Sequence, residues 1–134
     1  MSSRKIKAKL NQFLFALSVF MTLSGCDYGV ECQDDPYKVQ WIDISSNRSL
    51  VYDLGNDASI GRVNATIIAV GSSQDYIVAK QYDDIRKEIN YYYIDRKKDH
   101  KYYNWDQITE GPFSEVRFKE LKTELGLPDF SKKF

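Results

Sequence analysis

The chain of 134 residues carries 19 basic and 19 acidic side chains, one histidine and two cysteines, and its mean hydropathy is −0.51. A balanced charge with no basic surplus argues against a nucleic-acid binder, and so few histidines and cysteines fall short of a zinc pattern. Length and composition fit one globular domain, and ten Tyr, seven Phe and two Trp favour half-buried strand positions.

Arg4, Lys5, Lys7 and Lys9 open the chain without an acid, and residues 13–23 run without a charge. A basic start before an apolar stretch of about 7–15 residues is the pattern of a secretory signal. The stretch is too short for a spanning helix, which needs about 20 residues. It closes on Leu23-Ser24-Gly25-Cys26, which resembles the lipobox of bacterial lipoproteins. The resemblance implies a signal peptide over residues 1–25, with a signal helix, cleavage between Gly25 and Cys26, and diacylglycerol joined to the Cys26 thiol. That covalent lipid is the only added group expected. Two or three acyl chains anchor stably. The domain would then face the periplasm or the cell exterior from a lipid-anchored position in the envelope. Losing the leader's four basic residues leaves 15 basic against 19 acidic, a net charge near −4. The alternative is an ordinary secretion signal or a short anchor, with Cys26 free to close a small loop with Cys32.

Residues 26–36 hold Asp27, Glu31, Asp34 and Asp35 with no hydrophobic period, and read as an acidic tether. Tyr37, Val39 and Trp41 then alternate with polar residues, a strand that continues through Ile44. Ser45-Ser46-Asn47-Arg48 turns the chain into a second strand at Leu50–Leu54. Residues 55–62 read as a loop. Val63–Val70, the most β-branched stretch, is expected at the centre of the sheet. Tyr76–Tyr82 and Ile89–Asp95 return as further strands, and Arg96–Lys101 forms a basic loop tip before the aromatic Tyr102, Tyr103 and Trp105.

The C-terminal helix is the best-punctuated element. Ser114 suits the N-cap, Phe113 and Phe118 form a hydrophobic staple, and Glu115 can pair with Lys119. Phe118, Leu121 and Leu125 share one face, Gly126 suits a left-handed end and Pro128 forbids continuation. The expected fold is α+β: an antiparallel meander of about five strands over residues 37–134, with this one helix packed on it and Phe130 and Phe134 tucked beside the helix.

Chemistry is harder to find. His100 is the sole histidine, Asp57-Ala58-Ser59-Ile60-Gly61 is no nucleophile elbow, and Asp53-Leu54-Gly55-Asn56-Asp57 matches only half a calcium loop. No catalytic residue and no metal ligand is assigned. Asp53, Arg62, Lys80 and Gln81 interrupt apolar strands; with Trp105 they form the candidate binding surface, unless they are simply the outward face of the sheet.

The stretches Tyr52-Asp53-Leu54-Gly55, Ser59-Ile60-Gly61-Arg62-Val63, Ala69-Val70-Gly71, Tyr76-Ile77-Val78-Ala79-Lys80-Gln81 and Leu125-Gly126-Leu127-Pro128 resemble a family of small bacterial lipoproteins of unknown function, domain of unknown function 3997. The resemblance spans most of the chain from Tyr37 onward and carries no catalytic motif. The expected role is a non-enzymatic module that meets the membrane through its lipid and binds an envelope protein, not nucleic acid. The alternative is a small-ligand or glycan binder that stacks its ligand on Trp41, Tyr92, Tyr103 and Trp105.

Overall fold

The computed structural model describes residues 28–134; the expected signal helix, Gly25 and Cys26 lie outside them. The strands are β1 (Tyr28–Asp34), β2 (Tyr37–Ile42), β3 (Arg48–Gly55), β4 (Ala58–Val63), β5 (Ile67–Ser72), β6 (Tyr76–Asp83), β7 (Glu88–Asp95), β8 (Glu110–Phe113) and β9 (Lys132–Lys133). The helices are α1 (Trp105–Ile108) and α2 (Glu115–Leu125). Two antiparallel sheets result, ordered β1-β2-β3-β4 and β8-β7-β6-β5-β9. The single five-stranded meander expected from the sequence is therefore two sheets, a four-stranded meander and a second sheet in which β9 crosses over to pair with β5.

Three differences produce the second sheet. The acidic stretch read as a tether is mostly β1, paired antiparallel with β2 in a register that sets Tyr28 opposite Ile42 and Asp34 opposite Tyr37. The loop expected over 55–62 is a two-residue turn followed by β4. Asn56 and Asp57, at φ 53° and 62°, make the turn that suits a right-twisted hairpin. The strand expected over Val63–Val70 is broken: β4 ends at Val63, β5 begins at Ile67, and residues 64–66 carry the chain from one sheet to the other. The centre of the second sheet falls to β6, which is buried on both faces.

Alternation along β6 explains that burial. Ile77 and Ala79 point between the sheets, joining Tyr37, Val39, Leu50, Val63, Ile67 and Ile94 in the main core. Val78 points the other way, into a second cluster with Tyr91, Phe118, Leu121 and Leu127. Helix α2 thus covers the outer face of the second sheet, giving sheet, sheet and helix layers. Its ends follow the sequence signals. The Ser114 side chain accepts a hydrogen bond from the Arg117 N–H, Gly126 adopts φ 69°, and Lys119 Nζ lies 3.2 Å from Glu115. Phe118 and Leu121 are buried as expected, but Leu125 is 38% exposed. Phe130 stacks on Phe118 with ring centroids 5.8 Å apart, whereas Phe134 departs to the inter-sheet core beneath Arg48.

Candidate functional site

Strand β4 ends on Arg62 and Val63, both buried. An arginine at a core position needs a full set of acceptors and a counter-charge. The loop after β7 supplies them. Arg62 Nε donates to Asp99 Oδ2 and Nη2 to Oδ1, each at 2.9 Å. Nη1 donates to the carbonyls of Gly61 at 3.1 Å and Tyr103 at 3.0 Å, and Nη2 to that of His100 at 3.2 Å. These bonds employ every guanidinium N–H. Both side chains of the pair are 0% exposed. Tyr37 Oη donates to Asp99 Oδ2 at 2.7 Å, and the Tyr52 ring lies 5.0 Å from the guanidinium carbon. Burial, helped by the Asp99 carboxylate, pushes the Tyr37 hydroxyl well above the ordinary tyrosine range. The cluster pins the 96–104 loop to the first sheet.

A cleft opens on each side of this lock. The larger, about 280 Å³, lies over Tyr37, Tyr52 and Asp99 and is rimmed by Arg96 and Lys97. Its rim cations are already engaged: Arg96 Nη1 donates to Asp34 at 2.7 Å and to the Ser73 carbonyl at 2.8 Å, and Lys97 sits 3.0 Å from Asp75. The smaller, about 160 Å³, is lined by Arg62, Asn64, Gln81, Tyr92, Trp105 and Pro112 among others. Gln81 is its inner wall. Its Nε2 donates to the Asn64 carbonyl at 2.9 Å, and its Oε1 accepts from Asn90 Nδ2 at 3.2 Å and Tyr92 Oη at 3.1 Å. Gln81 therefore caps a carbonyl that the sheet-to-sheet crossing leaves without a strand partner. Trp105, the first residue of α1, remains 57% exposed at the mouth.

Of the candidate surface residues, Arg62, Gln81 and Trp105 converge on this cleft; Asp53 and Lys80 do not. Arg62 and Gln81 are not on an outward face, which corrects that expectation: both are consumed by internal bonds. Asp53 lies 3.5 Å from Lys38 and accepts from the Gly55 N–H, the main cause that lowers its carboxyl pKa. Lys80 does face outward, over the Tyr91 ring at 5.6 Å. The four aromatics considered for stacking also separate. Tyr92 and Trp105 flank the cleft, Tyr103 packs on the core and stacks on His100 at 3.8 Å, and Trp41 is half-buried on the first sheet.

Sequence reasoning missed Asp99 and Tyr37 as members of the cluster. The signal for Asp99 is a lone acid inside Arg96-Lys97-Lys98-Asp99-His100-Lys101; for Tyr37 there was none beyond its alternation. Cys32 is half-buried against the inter-sheet core. Among the described residues no group of three or more His, Cys, Asp or Glu is placed to hold a metal ion, and no helix is long and apolar enough to cross a membrane.

Neither a curated protein nor a solved structure matches the chain. The model of a protein family of unknown function (DUF3997) matches residues 36–132, so it takes in strands β2 to β8, the Arg62–Asp99 lock and helix α2, and the chain belongs to that family.

Proposed function

We propose that this chain is a lipid-anchored bacterial envelope protein whose domain binds an envelope protein partner without catalysing a reaction. The binding role rests on one observation: Trp105 stands 57% exposed over a cleft whose inner polar groups, on Arg62 and Gln81, are already bonded internally. Such a cleft offers apolar contact and shape with few groups left to act on a substrate. Tryptophan beside a small pocket is the composition of an interface anchor point. The anchor role rests on the basic start, the uncharged run and Leu23-Ser24-Gly25-Cys26.

Volume favours the protein-partner reading over the small-ligand one. Drug-sized ligands occupy pockets of about 300–1,000 Å³. A cleft of about 160 Å³ accepts one protruding side chain of a protein far better than an oligosaccharide. The glycan reading keeps one support, that Tyr92 and Trp105 flank the same opening.

A photo-crosslinking residue at Asn104, in the lipidated chain in its own cells, tests the partner. A discrete protein adduct that disappears on adding Trp105→Ala, with unchanged folding, is the expected result. No adduct, or one indifferent to Trp105→Ala, overturns the reading. Labelling with a clickable palmitate analogue, lost in Cys26→Ala, tests the anchor.

A further inference from the structure

We propose that the β2–β3 loop, through Ile42 and Ile44, rests in the headgroup boundary of the bilayer that holds the acylated Cys26, so that the domain stands on the membrane in one orientation. The proposal deepens the lipid-anchor reading above and rests on it.

Reach comes first. Tyr28 is the register partner of Ile42, and Cys26 precedes Tyr28 by two residues. Two residues span at most about 7 Å and neighbouring strands lie about 5 Å apart, so the lipid-bearing residue stays within about 12 Å of Ile42. A bilayer entered at Cys26 is therefore always beside this loop, whereas a protein partner would have to arrive there.

The loop is built to present its apolar side chains. Ile42 is 57% and Ile44 62% exposed. Ile44 N–H donates to the Ile42 carbonyl at 2.8 Å around Asp43, whose φ is 67°, and Asn47 N–H donates to the Ile44 carbonyl at 2.9 Å. Two internal hydrogen bonds thus hold the isoleucines in water in a turn that carries a left-handed aspartate.

Polarity along the strands agrees. The far end of the first sheet, at the β1–β2 and β3–β4 turns, presents Asp34, Asp35, Asn56 and Asp57, all exposed. At the near end, Arg48 is paired with Glu31 and lies over the Phe134 ring, and the cations left exposed there are Lys132 and Lys133. Cations at this end suit anionic headgroups. Asp43, exposed between the isoleucines, limits the depth: the loop can enter the boundary but not the hydrocarbon centre.

The test uses the full chain purified with its lipid and placed in phosphatidylcholine–phosphatidylglycerol vesicles, in a Cys32→Ser background. A polarity-sensitive fluorophore is attached at Ser45→Cys or, at the far end, Gln74→Cys, and intact mass reports the lipid on Cys26. With lipid present, the label at 45 should shift to the blue and be quenched about twofold by bilayer nitroxides, as fits a depth of about 5–10 Å, while the label at 74 stays aqueous. Adding Ile42→Ser and Ile44→Ser should return the label at 45 to water. A lipidated chain whose label at 45 is aqueous, or stays protected without the isoleucines, overturns the orientation and leaves the anchor standing. A chain with no lipid mass overturns both.

Discussion

Replacing Asp99 by alanine would leave the Arg62 guanidinium charged, 0% exposed and without its counter-ion. Three backbone carbonyls and the Tyr52 ring would remain around it, and none carries a full negative charge. Breaking a buried pair from one side costs about 3–5 kcal/mol. A domain of this size holds about 5–15 kcal/mol in total, so the variant would be marginal. With a urea m value of about 1–3 kcal/mol/M, the midpoint should fall by about 2 M. Arg62→Met should cost a similar amount, because Asp99 then keeps only the Tyr37 hydroxyl, and the Tyr103 carbonyl loses its side-chain donor while that of His100 keeps the Tyr103 N–H. The double variant removes both charges and should be less destabilised than the sum, by a coupling of about 1–3 kcal/mol. It should not return to wild type, since the Tyr103 carbonyl stays without the donor that Arg62 supplied. Urea titration of the four proteins at one pH measures all of this. Additive single effects, or either single variant within about 1 kcal/mol of wild type, would refute the lock as an interaction that holds the fold.

Three further outcomes follow from the same geometry. Tyr37, Tyr92 and Tyr93 all have raised pKa values in the folded state, burial being the first cause for each. The folded chain holds these protons more tightly, so their contribution is complete below about pH 10 and is lost as pH rises past it; urea midpoints through that range should decline less steeply in Tyr37→Phe. Gln81→Leu removes the donor to the Asn64 carbonyl and should cost about 1–3 kcal/mol, with faster amide exchange at Tyr82, which bonds Thr66 across the crossing. At Gly71 an added Cβ would lie 2.0 Å from the Asp129 carbonyl oxygen, so Gly71→Ala should displace the C-terminal tail, cost about 1–3 kcal/mol and strip exchange protection from Ser131 and Phe134.

Local rules reached far into this chain. The N-cap at Ser114, the left-handed Gly126 and the Glu115–Lys119 pair depend on neighbours within one turn of helix, and each stands where its residue type places it. The alternation at Tyr37–Trp41, Leu50–Leu54, Tyr76–Tyr82 and Ile89–Asp95 also sets strands, because period two is a property of the backbone. Tertiary structure decided the rest. Val63–Val70 is uniformly suited to a strand, and only the need to cover two sheet faces breaks it at residues 64–66, with Gln81, distant in sequence, capping a carbonyl there. Residues 55–62 read as a loop because Gly55-Asn56-Asp57 and Gly61 are turn formers; in the fold the first three make only a two-residue hairpin turn, and the buried Arg62 at the end of the strand is held by Asp99, 37 positions later. The acidic 28–34 segment became a strand because β2 offered a free edge, a fact its own composition does not contain. The clefts follow the same logic. Trp105 was readable as a surface aromatic, but its placement beside Gln81, Tyr92 and Pro112 joins residues from four separate segments, and no local pattern encodes that distance.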